Sequence, residues 1–296
     1  MSSATKSTRL STEFKSELAA GTILVIAPHM DDAVIGCGGT LAQLATKENI
    51  HIAYATDGSK SPIPELPGAE KSSQTLCSIR TQEAREALKI LGIPSENISF
   101  LNFPDGALKS HHKQFCQTLS NLIQRIQPDQ VFVPFRYDWH PDHLAVSTLT
   151  TQVIHNQELD IEIFEYFIYY RSQLLPKKDV RQYIRPEYIV TSNIQSHGEQ
   201  KRASLSAFES QMTLFYSWQD RPVISDTLVN EVCSTPELFL RASELTQQRS
   251  PFPRKNQFIP LITKLEPRLK KIKTQTLFLV KTIMELPTVL RKTILQ

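Results

Sequence analysis

The sequence predicts an α/β protein with a Rossmann-like, open and mostly parallel sheet that carries helices on both faces. Apolar runs rich in β-branched residues recur at 22–27, 50–56, 98–103 and 130–135. Most of these runs are too continuous for half-exposed strands, so they indicate strands buried on both faces. Helical patterns lie between them, and strands that alternate with helices favour parallel pairing through right-handed crossovers.

The helical patterns between these strands cover 39–47, 78–91 and 115–126. The second is marked most clearly, because its apolar side chains return at helical spacing and Gly92 followed by Pro94 signals its end. By contrast, 59–73 contains three prolines and a glycine. This composition predicts a loop at the carboxyl end of the second strand.

The runs at 161–169 and 187–191 predict two more strands, and 198–211 predicts another helix. The aromatic residues of 161–169 place that strand near a sheet edge or in a hairpin. After Trp218 the periodic pattern weakens.

The pattern predicts four segments, which are an N-terminal extension (1–20), one folded domain (21–248), a linker (249–261) and a C-terminal tail (262–296). Eight lysines and arginines against two glutamates give the tail a charge of +6, which leaves −3 for the rest of a chain with net charge +3. A slightly acidic main body does not support nucleic-acid binding, because that function uses a basic face to neutralise phosphates.

Composition also bears on the cellular compartment. The first twenty residues lack the apolar core of a secretory signal, and no stretch reaches the roughly 18 uncharged apolar residues of a membrane span. The four cysteines lie far apart without a C-x-x-C pair, so neither a disulfide framework nor a cysteine zinc site is indicated. We therefore expect a soluble protein of the reducing cytoplasm.

Two groups of ionisable residues follow the first and fourth predicted strands. The first group is His29, Asp31 and Asp32, and the second is Asp138, His140, Asp142 and His143. Because ligands of open parallel sheets bind beyond the carboxyl ends of the strands, we expect both groups at one rim. Imidazole nitrogens and a carboxylate suit zinc, and three protein ligands with a fourth position left to water is the catalytic pattern. The sequence therefore predicts a metal site at this rim.

These residues resemble the motifs of the PIG-L/LmbE-like de-N-acetylases, also called the GlcNAc-PI de-N-acetylase family. The family motif His-Pro-Asp-Asp-Glu, followed by a glycine-rich turn, corresponds to 29–33, and His-Pro-Asp-His stands intact at 140–143. Lesser signatures are Thr56-Asp57-Gly58, Arg80 with Glu83, Pro104-Asp105-Gly106, Lys201 and Ser210-Gln211. The resemblance covers roughly 21–213, within the domain predicted at 21–248.

The resemblance implies a hydrolase that removes an acetyl group from an N-acetylated sugar or sugar conjugate. It implies that His29, Asp32 and His143 bind zinc or another divalent metal ion.

The resemblance also implies roles for residues around the metal. Asp31 would be the general base, and a cationic His140 would stabilise the oxyanion or help the amine to leave. Arg80 and Asp105 would hold sugar hydroxyls. Asp142 would orient one of the neighbouring imidazoles, as carboxylates behind metal ligands do.

Other interpretations stay open. One is a metal-dependent amidase of another conjugate, and the other is a non-catalytic α/β binding protein. Asp31 or Asp32 could also simply cap the following helix. The glycines at 36, 38 and 39 do not match the dinucleotide pattern G-x-G-x-x-G, and the acids before them would repel a pyrophosphate.

The chain departs from the first motif at two positions, where Met30 replaces the proline and Ala33 replaces the glutamate. We expect Met30 mainly to loosen the turn, because proline supplies backbone restraint but no ligand atom. Ala33 removes a carboxylate near the metal, so the pH optimum and the substrate cannot be carried over from the family.

The basic tail, 262–296, has two interpretations. It forms a helix that docks on its own domain with the lysines in water, or it contacts an anionic membrane surface or an acidic partner. In the second case each lysine or arginine near the surface contributes about 1 kcal/mol, and the protein would lie peripherally at the inner membrane surface. The sequence leaves the oligomeric state open.

Overall fold

The computed structural model describes residues 21–266 and residue 269, except 48, 63–69, 217–218, 220 and 243–249. The predicted N-terminal extension and most of the predicted tail therefore lie outside the described residues. The chain divides into two compact units. Within the described residues, the first unit comprises 21–169 and 184–251, and the second comprises 170–183 and 252–269.

The first unit contains a sheet of seven strands in the order β3-β2-β1-β4-β5-β7-β6. The strands are β1 (Thr22–Ala27), β2 (Asn49–Thr56), β3 (Ile98–Phe103), β4 (Gln130–Pro134), β5 (Glu162–Tyr166), β6 (Ile189–Ser192) and β7 (Glu237–Arg241). The first five strands pair in parallel, and β7 pairs antiparallel with both β5 and β6. The predicted mostly parallel α/β sheet is confirmed.

Seven α-helices accompany the sheet in the described part of the chain. They are α1 (Asp32–Leu44), α2 (Glu70–Ile90), α3 (His112–Ile126), α4 (Pro141–Asn156), α5 (Gly198–Ser206), α6 (Glu209–Met212) and α7 (Asp226–Ser234). Successive β1 side chains point to opposite faces, as strand geometry requires. Ile23 and Val25 pack into a core with α1, α2, α5 and α7, whereas Leu24 and Ile26 pack into a second core with α3 and α4. Helices therefore cover both faces of the sheet.

The structure corrects several of the predicted elements. Helix α1 begins at Asp32, seven residues before the predicted start at Gly39. The glycines of this segment obscured its helical pattern in the sequence. They allow close packing of the helix, because a Cβ on Gly36 would lie 2.5 Å from the Tyr166 ring and one on Gly39 would lie 2.6 Å from Ile194. Close packing of the helix outweighs the low helix propensity of glycine.

The later part of the chain differs more from the prediction. Helices α4 and α7 and strand β7 were not predicted, and the helix expected over 198–211 breaks between α5 and α6. Strand β5 is not near an edge, because β7 adds beside it and places β6 at the edge. The pairing of β7 depends on partners far away in sequence, which a local pattern does not reveal.

The second unit includes short 3-10 helices at Val180–Tyr183 and Arg254–Asn256 and a helical stretch at 259–266. The Gln173 N–H donates to Glu266 Oε1 at 3.1 Å, and the Ser172 hydroxyl donates to the same carboxylate. Residues 252–261 thus belong to a compact unit, whereas the sequence predicted a linker over 249–261. None of the helices in the described ranges combines the length and apolar character needed to cross a membrane.

Candidate active site

Polar side chains gather where the first five strands end. His29 follows β1, Asp57 follows β2, Asp105 follows β3, Asp138 follows β4 and Tyr169 follows β5. Because these five strands are parallel, their carboxyl ends meet at one rim of the sheet. The sequence predicted this convergence, and the structure brings the two motif groups together there.

His29, Asp32 and His143 form a compact triangle of donor atoms. Asp32 Oδ2 lies 3.1 Å from His29 Nδ1 and 3.2 Å from His143 Nε2, and the two imidazole nitrogens are 3.3 Å apart. A tetrahedral zinc site with bonds of about 2.1 Å separates its ligand atoms by about 3.4 Å. The triangle therefore has the size and the donor chemistry of a three-ligand metal site.

Two further groups share His29 with this triangle. Among the described residues, the donor atoms of His29, His140 and His143 lie within 4.8 Å of one another, and so do those of His29, Asp105 and Asp142. Several combinations of side chains in the cluster therefore offer three donor atoms at metal-ligand spacing.

The ionisation of the triangle also suits a cation. Burial opposes charge on His29, but hydrogen bonds to Asp105, Asp142 and Asp32 raise its pKa well above the ordinary value. Burial likewise opposes charge on His143, yet Asp32 and Asp138 raise its pKa to about 9. The carboxylates around the two imidazoles therefore favour positive charge at this position, which is the charge that a metal ion would bring.

Asp31 points away from the helix backbone and forms an ion pair. Its Oδ1 lies 3.0 Å from Arg80 Nη2, and both side chains are buried. Burial raises the pKa of Asp31, while the Arg80 charge acts in the opposite direction, and the net direction is upward. Asp31 makes no side-chain capping hydrogen bond to α1, so its carboxylate does not act as a helix cap.

Arg80 is fixed on several sides. Its Nη1 donates to the carbonyl oxygens of Gly58 and Ser61, at 3.0 and 3.4 Å, and only 2% of the residue is exposed. The guanidinium therefore holds Asp31 against the loop that follows β2. This geometry gives Arg80 a positioning contact in addition to the sugar contact expected from the sequence.

His140 lies beside the triangle at the start of α4. Its ring centroid is 4.7 Å from that of His29, and its Nδ1 accepts the Asp142 N–H at 3.3 Å. Burial, followed by the nearby His29 and His143, lowers the pKa of His140 to about 4. This pKa favours a neutral ring with its proton on Nε2, whereas the sequence analysis expected a cation.

Asp142 and Asp138 stand behind the imidazoles. Asp142 accepts the N–H groups of Gly106 and Leu108, and its Oδ2 lies 3.5 Å from His29 Nε2. Gly106 has a φ of +73°, a conformation that favours glycine. Asp142 is thus next to the imidazole of His29 and hydrogen-bonds through its backbone to His140.

The sequence analysis placed Asp138 in the second ionisable group but did not assign it a contact with His143. Its Oδ2 lies 3.1 Å from His143 Nδ1, and its Oδ1 accepts the His140 N–H at 2.9 Å. It therefore orients the ring of His143 and fixes the backbone of His140 at once. A carboxylate two residues before a His-Pro-Asp-His motif is the sequence signal that could have identified it.

Asp105 joins the loop after β3 to the site. Its Oδ1 lies 3.4 Å from His29 Nε2, and its Oδ2 accepts the Lys60 N–H at 3.0 Å. Burial raises the pKa of Asp105, but the hydrogen bond from His29 outweighs this effect, so the net pKa is lowered. Asp57 Oδ1 accepts the Asp105 N–H, which connects the loops after β2 and β3.

Aromatic side chains stand at one side of the cluster. The Trp139 and Tyr169 rings are 4.4 Å apart, and Tyr169 lies 5.3 Å from His143. Tyr169 is 39% exposed, so part of its ring faces solvent beside the buried imidazoles. An exposed aromatic surface of this kind can stack on a sugar ring.

Met30 and Ala33, the two departures from the first motif, are both fully buried and belong to the apolar core. The turn that contains Met30 is held by Asp32, whose Oδ2 accepts the His29 N–H at 2.9 Å. This hydrogen bond restrains the turn, in which Met30 stands where the family motif has proline.

The downstream signature residues serve the fold behind the site. Lys201 Nζ donates to Glu237 and to the Ile35 carbonyl, at 2.6 and 2.7 Å, in a fully buried position. Ser210 donates its N–H and its hydroxyl to Glu83, both at 2.7 Å. These bonds tie α5 and α6 to α1 and α2.

Comparison with known proteins gives a family match for the part of the chain that carries the two motif groups. Residues 24–154 match the family described as PIG-L, GlcNAc-PI de-N-acetylase. The match covers less than half of the 296-residue chain. The matched range contains both motif groups, Arg80 and Asp105, and it leaves Tyr169, Lys201 and Glu237 outside.

The chain is also similar to two curated deacetylases. Diacetylchitobiose deacetylase of Thermococcus kodakarensis is 32% identical over 137 residues, which is 45% of this chain and 48% of that protein. The uncharacterized deacetylase YaiS of Escherichia coli K12 is 33% identical over 129 residues, or 42% and 63% of the two chains. The matches thus span about half of the curated relatives' lengths.

A solved structure shares the fold. The N,N'-diacetylchitobiose deacetylase of Pyrococcus horikoshii, complexed with an inhibitor, superposes with a TM-score of 0.58 at 23% identity. The match covers 81% of this chain and 90% of that one. It confirms the fold well beyond the matched PIG-L range.

Proposed function

We propose that this protein is a metal-dependent hydrolase that removes an acetyl group from an N-acetylated sugar or sugar conjugate. The observation that carries the proposal is the His29, Asp32 and His143 triangle with Asp31 and His140 beside it. The PIG-L family match and the two deacetylase relatives support the same activity.

Zinc is the proposed metal, held by His29, Asp32 and His143. Two imidazole nitrogens and one carboxylate oxygen at near-tetrahedral spacing suit zinc and leave one position open. When bound, such an ion polarises an acetamide carbonyl and lowers the pKa of its water toward about 7. The carboxylates that raise the pKa of both imidazoles would also stabilise a bound cation.

Asp31 is the proposed general base. It follows the motif histidine by two residues and precedes the ligand Asp32, so its carboxylate lies next to the metal ligands without belonging to the triangle. Burial raises the pKa of Asp31, which strengthens it as a proton acceptor, and Arg80 keeps it oriented. Asp31 would take a proton from the attacking water and later return it toward the departing amine.

His140 is the proposed donor to the oxyanion. Because its Nδ1 accepts the Asp142 N–H, a neutral ring presents Nε2–H as its donor. That N–H would stabilise the charge that develops on the acetamide oxygen. Asp142 and Asp138 would keep the rings of His29 and His143 in place.

Asp105 and Arg80 remain the proposed contacts to sugar hydroxyls, and Tyr169 with Trp139 forms a surface on which a sugar ring could stack. Asp105 has its Oδ1 beside His29, at the edge of the reaction centre. Arg80 is buried and held by three acceptors, so its larger proposed role is to position Asp31.

The test is release of a free amine from N-acetylglucosamine, diacetylchitobiose and related conjugates, followed with an amine-reactive probe. We expect equal amounts of amine and acetate, loss of both in Asp31→Asn, and full activity in the exposed control Asp160→Asn. A protein that binds zinc but releases amine from none of these substrates would contradict the deacetylase proposal. Release of amine only from amides of other conjugates would favour a different amidase.

A reducing cytoplasmic location is proposed on the cysteines, which are all free and of which Cys37 and Cys233 are buried. The proposed contact of the tail with an anionic surface falls on 262–296, of which the structure describes 262–266 and 269. Those described residues belong to the second unit.

A further inference from the structure

The second unit exposes a row of large apolar side chains along its helical stretch. Phe258, Leu261, Leu265 and Leu269 are 46%, 67%, 43% and 44% exposed. Their spacing of three, four and four residues is the spacing of one helix face. These four residues, called here the apolar stripe, include nearly half of the large apolar side chains that the described chain exposes.

The opposite face of this stretch is already used by the fold. Ile259, Thr263 and Glu266 are buried, and Glu266 accepts hydrogen bonds from Ser172 and Gln173. The described stretch is therefore docked within its own unit. The apolar stripe is what that docking leaves uncovered.

The charge of the second unit is opposite to that of the first. The second unit, residues 170–183 and 252–296, contains 14 lysines and arginines against three acids, which gives +11. The rest of the chain contains 19 lysines and arginines against 27 acids, which gives −8. The charge difference between the second unit and the rest of the chain is therefore larger than the difference between the tail and the rest of the chain.

The described cations near the apolar stripe are exposed, whereas the two described acids of the unit, Asp179 and Glu266, already have partners. Arg254, Lys255 and Lys264 are exposed. Asp179 forms an ion pair with Arg181 at 2.8 Å, and Glu266 is buried. An exposed leucine-rich face with basic residues around it is the pattern of a segment that lies in a membrane interface.

We propose that the second unit is a docking surface for an anionic lipid bilayer. The apolar stripe enters the boundary between headgroups and acyl chains, and the surrounding lysines and arginines contact the lipid phosphates. A nucleic acid would match the charge but offers no apolar phase for four exposed large side chains. The partner is therefore a membrane surface, and the proposal is independent of the reaction at the metal site.

The test is co-sedimentation of the full chain with vesicles. We expect binding to vesicles that contain phosphatidylglycerol, little binding to pure phosphatidylcholine, and weakening as salt is raised. Leu261→Ser with Leu265→Ser should lower the partition coefficient at least tenfold, and Lys255→Ser with Lys264→Ser should lower it several-fold. The matched controls are Leu214→Ser with Val223→Ser and Lys89→Ser with Lys113→Ser, which change exposed residues of the first unit and should leave binding unchanged.

Three outcomes would overturn the proposal. Equal sedimentation of the stripe variants and their controls would show that the stripe does not bind lipid. A dimer in light scattering that Leu261→Ser with Leu265→Ser dissociates would assign the stripe to a second copy of the chain. Binding by a chain that ends at residue 269, but not by the full chain, would show that the tail covers the stripe. Circular dichroism of each variant verifies that the unit is folded.

Discussion

Helix α1 touches two buried clusters of charged residues that differ in how completely they are paired. Near its middle, Lys201 meets Glu237, and Glu237 also accepts the N–H groups of Gly39 and Thr40 at 2.8 Å. One positive charge faces one negative charge there. The cluster is electrically balanced and hydrogen-bonded without any added group.

At the amino-terminal end of α1 lies the second cluster, called here the unbalanced cluster, in which carboxylates outnumber the fixed positive charges. Five aspartates, at positions 31, 32, 105, 138 and 142, surround three histidines and Arg80. His29 and His143 have raised pKa values because the neighbouring carboxylates stabilise their protonated forms. We infer from this comparison that the balanced cluster stabilises the fold, whereas the cluster with excess carboxylates is suited to the proposed metal ion.

The largest expected effect is on turnover, and it distinguishes the roles of the adjacent residues Asp31 and Asp32. Asp31→Asn should keep its metal and lose about 10²-fold to 10⁴-fold in turnover, the usual contribution of a general base. Asp32→Asn should lose metal affinity first. Metal content and amine release, measured with and without added zinc, distinguish the two. Rescue of Asp31→Asn but not of Asp32→Asn by excess zinc would reverse the assignment.

Substitutions in the Lys201–Glu237 cluster should lower the free energy of unfolding and leave metal binding unchanged. Lys201→Met leaves Glu237 buried without its cation, so we expect a loss of about 3–5 kcal/mol in the free energy of unfolding. Lys201→Met with Glu237→Gln removes both charges while keeping an acceptor for Gly39, and it should recover part of that loss. Urea denaturation measures both. A drop in metal content per folded chain would contradict the separation of the two clusters.

Substitution of Asp138 tests whether metal affinity at the aspartate-rich cluster depends on the carboxylates that hydrogen-bond to the proposed ligands. Asp138→Asn should weaken metal binding about 10-fold to 100-fold, because it removes the charge that orients and polarises His143. Competition with a chromogenic chelator measures the affinity, and Asp160→Asn is the exposed control. An unchanged metal affinity with altered turnover would instead assign Asp138 to the orientation of His140.

The last prediction concerns the pH dependence of metal binding, which changes affinity gradually, by one pH unit at a time. His143 must lose its proton to bind a metal, and its pKa is raised to about 9. Affinity should therefore rise about tenfold per pH unit up to about pH 9 from this group alone, and a pH indicator should record proton release on metal addition. An affinity that is flat between pH 6 and 8 would show that the imidazoles are already neutral.

The sequence was sufficient to predict the alternating strands β1 to β4, the rim that carries the site and the two motif groups. These predictions depended on local patterns: continuous apolar runs for strands buried on both faces, and histidines and aspartates directly after them. The same patterns were weaker for α1, where glycines needed for packing against Tyr166 and Ile194 concealed the helix.

By itself, the sequence determined the residue types of this site and their order along strands and helices, because backbone periodicity and strand ends are local properties. Only the tertiary structure decided that Asp138 meets His143, that Arg80 holds Asp31 and that β7 separates β5 from β6. It also placed 170–183 and 252–269 in one basic unit with an exposed apolar face. The physical reason is that charges and strands pair according to their distance in space, which local sequence patterns do not reveal. Arg80 and Asp31, for example, form an ion pair although they are 49 residues apart in the chain.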